Sequence, residues 1–177
     1  MWPRWARIRT GRAACQPRLV ALGTATSPVS EFTRRTAVAE DYDMIAAVVD
    51  EWWGRPILSA LPRLFLDHFH RTSFIVEDEA GLAAFLVGFL SPSQPDHAYI
   101  HFVGVRPDLR SAGLARRMYE DFFDVARADG RITVAAITSP VNERSIAFHR
   151  HMGFAVRGPV DGYHGAGTAL MVFSRVL

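Results

Sequence analysis

The residues best suited to chemistry sit where a strand hands over to a helix. In His101-Phe-Val-Gly-Val-Arg-Pro-Asp-Leu-Arg110-Ser-Ala-Gly113-Leu-Ala115, an apolar strand runs into a turn at Pro107, a loop of small residues and an amphipathic helix. Small residues let backbone approach a ligand. The free N–H groups of a helix start, with the helix dipole behind them, favour negative charge. A diphosphate fits such a junction, and so does an ordinary tight turn, for which glycine is equally suited. Further along, Asn142, Ser145 and His149 fall at i, i+3 and i+7, which puts an amide, a hydroxyl and an imidazole on one helix face. That stripe either meets a polar ligand or faces water.

Two other groupings are candidates. Tyr99 and His101 alternate with Val103 along one strand and share its face if the strand is regular. Trp52-Trp53-Gly54-Arg55-Pro56 closes a helix, and two adjacent indoles cannot both enter one core. One of them is free to line a pocket for an apolar or cationic ligand, or to plug a gap or meet a second copy. The pairs His68/His70 and His149/His151 do not make a metal site on a helix, where i and i+2 point roughly 200° apart. Cys15 is the sole cysteine, which excludes an intrachain disulfide and a cysteine-based zinc site. No spacing resembles a nucleophile with its base, so we expect neither a metal nor a covalent enzyme intermediate.

These residues need a scaffold, and the periodicity supplies one. Thr33–Val38 reads as a strand, followed by a helix carrying Ile45, Val48, Val49 and Trp52 that stops at Gly54. Leu58–Phe69 reads as a second short helix. Ser73–Glu77, Leu82–Leu90 and Ala98–Val105 read as three strands with short connections, as in an antiparallel meander. Leu114, Met118, Phe122 and Val125 mark one side of a strongly amphipathic helix ended by Gly130. The apolar run Ile132–Thr138 predicts a buried strand, and Asn142 announces a helix that stops at Gly153. Phe154–Val156 and Ala169–Arg175 supply closing strands around a Gly-rich loop, Gly158–Gly167.

Composition bounds the reading. About half of the 177 residues are apolar, enough for one domain with a substantial core. Residues 1–30 hold five arginines and no acid, and read as a basic, disordered extension, either an Arg-rich targeting segment or translation from an upstream start. Residues 31–177, the expected folded domain, carry fifteen arginines against eighteen acids, a net charge of −3. An acidic body argues against nucleic acid as a partner. No apolar run approaches the roughly eighteen residues that span a membrane, and we expect a soluble, cytoplasmic protein.

The two junctions together carry a family resemblance. Arg110-Ser-Ala-Gly113-Leu-Ala115 resembles the Q/R-x-x-G-x-G/A signature of the GNAT N-acetyltransferases, in its usual place after a strand ending Val105-Arg-Pro. Asn142-Glu-Arg-Ser145-Ile-Ala-Phe148-His149-Arg-His-Met-Gly153-Phe154 is similar to that family's N-x-x-S/A-x-x-F-Y-x-x-x-G-F pattern. The resemblance extends from Thr33 to Leu177. It implies an α/β (α+β) fold, a mixed, mostly antiparallel, splayed sheet of six to seven strands flanked by about four helices. It implies acetyl-CoA as cosubstrate and direct acetyl transfer to a primary amine, a small molecule being favoured over a protein or aminoacyl-tRNA amine. A non-catalytic CoA-binding sensor is the reading from another class.

In such proteins Val103, Gly104 and Val105 would offer backbone to the pantetheine arm. The N–H groups of Arg110, Ser111, Ala112, Gly113, Leu114 and Ala115 would hold the diphosphate, and Asn142 and Ser145 would face the cofactor. His149 stands where the family usually has the tyrosine that protonates the departing thiolate, so His149 is the expected acid. His101, with Tyr99 beside it, is the expected base or water-orienting group, and Trp52 and Trp53 are expected at the acceptor site. A homodimer through the C-terminal strands is common in proteins of this kind.

Overall fold

The computed structural model describes residues 32–177, and the expected basic extension of residues 1–30 lies outside them. Chain order is β1 (Thr33–Thr36), α1 (Asp41–Trp53), a short 3-10 turn (Leu58–Ala60), α2 (Leu64–Phe69), β2 (Phe74–Asp78), β3 (Gly81–Leu90) and β4 (His97–Val105). There follow α3 (Leu114–Ala128), β5 (Thr133–Thr138), α4 (Glu143–His151), β6 (Ala155–Asp161) and β7 (Ala169–Val176). The seven strands form one open sheet in the order β1-β2-β3-β4-β5-β7-β6.

Each face of the sheet is covered by helices. On one side Leu114, Met118, Phe122 and Ala126 of α3 lie on Leu86, Ile100, Val134 and Phe173. On the other, Ile45, Val49 and Trp52 of α1 and Leu66 of α2 bury Ile75, Phe85 and Val87. The apolar stripes read from the sequence are therefore the two inner surfaces of a three-layer domain. Asp41 ties β1 to α1: its carboxylate takes both guanidinium N–H groups of Arg35 at 2.7 and 2.8 Å and the N–H of Val38 at 2.8 Å.

All neighbouring strands run antiparallel except β4 and β5, which are parallel and pair only over His97–Tyr99 against Thr133–Ala135. Beyond Tyr99 the two strands part. The sheet thus opens in its middle, between Ile100–Val105 of β4 and Ala136–Thr138 of β5.

Three expectations need correction. The predicted helix over Leu58–Phe69 is two pieces, because Pro62 drives Leu61 out of the helical region (φ −123°, ψ 72°) and α2 restarts at Leu64. The supposed loop from Gly158 is still strand: β6 continues through a register shift at Gly158-Pro159 to Asp161, which a sheet edge tolerates because the missing proline N–H faces no partner. Strand β4 is not regular either. Val87 pairs with Phe102 and Gly88 with Ile100, leaving His101 as an extra residue in a β-bulge. His101 and Phe102 consequently both lean toward α1 and α2, and Val103 turns to the α3 side, not to the face of Tyr99 and His101.

Candidate active site

Two adjoining cavities, about 720 and 580 Å³, fill the gap between the parted strands. They meet along Val103, Tyr119, Asn142, Ser145 and His149. From there the first extends to Val105, Arg110 and Ala115, and the second to Ala60, His101, Phe102 and His164. The two sequence junctions face each other across the groove because α3 follows β4 and α4 follows β5, each leaving from the end where the strands have separated.

One end of the first cavity has the features that suit an anion. Gly113 begins α3 with φ +76°, a conformation that side chains resist, and a Cβ built there would meet no atom within 4 Å. Arg117 is the residue whose N–H reaches the Gly113 carbonyl, at 3.1 Å, so the amides of Leu114, Ala115 and Arg116 are the free ones of the first turn. The N–H of Ala112 closes a turn onto Leu109 at 2.9 Å, and the Leu114 side chain is buried in the core. Ser111 is exposed. Arg110 lines the cavity and its guanidinium reaches the carbonyl of Trp52 at the end of α1. These groups fit a diphosphate: open space where a Cβ would stand, free amides, and a neighbouring cation.

At the junction, Asn142 caps α4 through its Oδ1, which accepts the Ser145 N–H at 3.2 Å, and its Nδ2 donates to Thr138 Oγ1 at 3.1 Å. His149 is 4% exposed and its ring stacks on Phe173 at 3.9 Å. Its Nδ1 lies 2.8 Å from the Ser145 carbonyl, which can only accept, so Nδ1 carries the proton. Nε2 then accepts from the Tyr119 hydroxyl at 3.0 Å. Burial pushes the His149 pKa down to about 4. A neutral imidazole with both nitrogens engaged holds Tyr119 in place and has no proton to give to the cavity, contrary to the acid role expected of it. Tyr119, whose hydroxyl burial makes a weaker acid than usual, lines both cavities, although in the sequence nothing sets it apart from the other residues of an amphipathic helix.

In the second cavity the bulge sets His101. Its Nε2–H donates to the Ala60 carbonyl at 2.9 Å and its ring stacks on Phe65 at 3.7 Å, leaving the Nδ1 lone pair. Burial lowers its pKa, which keeps the ring neutral and able to accept a proton near neutral pH. Tyr99 packs against Phe89 at 5.3 Å, lines neither cavity, and is driven up in pKa by burial. The adjacent tryptophans divide as their geometry requires. Trp52 is 6% exposed against Phe85 and borders only the first cavity, while Trp53 lies on Phe102 at 5.1 Å and lines both. Three arginines, Arg55, Arg110 and Arg144, and no aspartate or glutamate line the two cavities.

A sequence model described as the acetyltransferase (GNAT) family matches residues 37–154. The chain belongs to that family. The GNAT chain is 29% identical to the L-2,4-diaminobutyric acid acetyltransferase of Vibrio parahaemolyticus over 98 residues, 55% of this chain and 51% of that protein. It thus spans about half the length of such relatives. Its fold is that of Ard1 from Thermoplasma volcanium, with a TM-score of 0.70 at 16% identity over 82% of this chain and 97% of the other. It is also that of the diaminobutyrate acetyltransferase EctA from Paenibacillus lautus, solved with L-2,4-diaminobutyric acid and coenzyme A, with a TM-score of 0.62 at 19% identity over 81% and 95% of the two chains. Among the described residues of this GNAT domain, no helix is long and apolar enough to cross a membrane.

Proposed function

We propose that this chain is an acetyl-CoA-dependent N-acetyltransferase of the cytoplasm that acetylates a small-molecule primary amine by direct transfer. The observation that carries the reading is the groove between β4 and β5, with free helix amides at one end and a neutral imidazole at the other. Family membership and the diaminobutyric acid acetyltransferases among its relatives support it.

In this scheme the thioester supplies the acetyl group and its leaving sulfur. The amides at Gly113, Leu114 and Ala115, with Arg110, would hold the diphosphate. The backbone of Val103, Gly104 and Val105, freed from β5, would hold the arm. Asn142 and Ser145 would line its path at the junction. Nδ1 of His101 would take a proton from the attacking amine, directly or through water, as the C–N bond forms. When the C–S bond breaks, the Tyr119 O–H, held by His149, would turn to the sulfur. The neutral amine loses one proton and the sulfur gains one, so the reaction balances. Positioning supplies most of the acceleration in such a transfer.

The test is release of free thiol from acetyl-CoA across amines, amino acids, aminoglycosides, peptides and aminoacyl-tRNA. Thiol release with small amines is expected. Release only with peptide or aminoacyl-tRNA acceptors would give the site to a macromolecular amine. Binding of acetyl-CoA without any release would make the chain a sensor. Pairing of two copies through the C-terminal strands is proposed separately; β6 is a sheet edge interrupted at Pro159, so the contact would be made by side chains more than by a continued ladder, and sedimentation velocity checks it.

A further inference from the structure

We propose that Arg55 is the docking point for a carboxylate on the acceptor, so that the site takes amine-bearing carboxylic acids in preference to diamines and polyamines. The proposal rests on the reading of the two cavities as the cofactor and acceptor ends of one transferase site.

The charge of the lining is the first argument. The second cavity, about 580 Å³, is walled by Trp53, Phe102 and Ile57 and carries three histidines and Arg55, which also borders the first cavity, with no aspartate or glutamate among its lining residues. An acceptor with a second ammonium would enter beside a guanidinium and find no counter-charge. An acceptor with a carboxylate meets a planar donor fork suited to grip both oxygens.

The second argument is that the fold holds Arg55 ready. Gly54 ends α1 with φ +64°, and the Arg55 N–H returns to the Asp50 carbonyl at 3.2 Å. The nearby Asp50 carboxylate accepts the N–H groups of Ile57 at 2.7 Å and Leu58 at 2.8 Å. Asp50 thereby fixes the loop, lines neither cavity and makes no ion pair with Arg55. Among the described residues the Arg55 guanidinium has no hydrogen-bond or carboxylate partner, whereas Arg106 is gripped by Asp78 and Asp108 and Arg35 by Asp41 and Glu77. The apolar wall of Trp53 on Phe102 spans the space beside it, which suits the methylenes that separate a carboxylate from an amine. Of the apolar or cationic ligands expected for the tryptophan pair, one whose charged groups are all ammonium does not fit this charge pattern.

The experiment measures thiol release by the full chain with acetyl-CoA and a set of amino acids. The set includes L-2,4-diaminobutyrate, and each acid is tested beside its carboxamide and its decarboxylated amine, 1,3-diaminopropane in that case. The parent is expected to prefer at least one acid over both comparators by about 10- to 100-fold in kcat/KM, the range of a charge-assisted hydrogen bond. Arg55→Gln should collapse that preference through the acceptor KM without moving the acetyl-CoA KM, and Arg55→Lys should restore part of it. The inference is overturned if the decarboxylated amines serve as well as the acids or if no acid is turned over. It fails equally if Arg55→Gln acts on the acetyl-CoA KM instead. Absence of any thermal stabilisation by acetyl-CoA would remove the transferase reading itself, an outcome distinct from acetylation of the wrong amines.

Discussion

Alanine at Gly113, compared with alanine at Gly130, separates a cost to the fold from a cost to the ligand. Both glycines are left-handed, with φ +76° and +78°, and at neither would a Cβ meet an atom within 4 Å. Each substitution therefore brings the same penalty, about 1 to 2 kcal/mol for a left-handed alanine, and no clash. In a domain of this size that lowers Tm by roughly 2 to 8 °C in both variants. The open space at Gly113 is where the diphosphate is proposed to lie, while Gly130 closes the far end of α3. At a concentration 100 times the parent's dissociation constant, acetyl-CoA should stabilise the parent and Gly130→Ala by about 2.7 kcal/mol. A tenfold loss of affinity in Gly113→Ala would cut this to about 1.4 kcal/mol. Thermal unfolding with and without acetyl-CoA reads both quantities, and Gly113→Glu should show no ligand shift at all. Equal shifts in the parent and both alanine variants would refute the placement of the diphosphate.

Three further outcomes are expected. Tyr119→Phe should lower kcat by about 100-fold with little change in acetyl-CoA affinity, and near-parent turnover would remove the hydroxyl from the mechanism. His149 has its pKa lowered to about 4 from an unfolded value near 6.5, so its contribution to stability is complete above pH 6.5 and is lost as pH falls toward 4. This loss, on the order of 3 kcal/mol, should be absent from the acid limb of the stability profile of His149→Phe. Gly88→Ala would place a Cβ 2.5 Å from the buried ring of Phe122 and should lower stability by about 1 to 3 kcal/mol, measured by urea unfolding.

The parts of the site that were readable in the sequence are those encoded locally. The turn at Pro107, the small residues up to Gly113 and the stripe of α3 occupy one continuous segment, as do the Asn142 cap and the rest of α4. What was hidden depends on partners distant in sequence. The bulge at His101 exists only relative to β3, so the face of Val103 could not be settled from β4 alone. Tyr119 looks like a core residue of an amphipathic helix until α4 brings His149 against its hydroxyl. Arg55 is one of twenty arginines, and its freedom becomes visible only when the nearby Asp50 is seen committed to backbone amides. At Gly158-Pro159 the local chemistry pointed to a loop, and pairing with β7 overrode it.

The divergence of β4 from β5 leaves the inward-facing peptide groups of Ile100–Val105 and Ala136–Thr138 without the mates a closed ladder would give them. Water must serve them when the cleft is vacant. An extended, amide-bearing guest lying there would act as a temporary eighth strand, completing a sheet that the polypeptide by itself leaves unfinished. Amide hydrogen exchange along these two segments should slow on loading, and a guest shorn of its own amides should lose grip even with its phosphates intact.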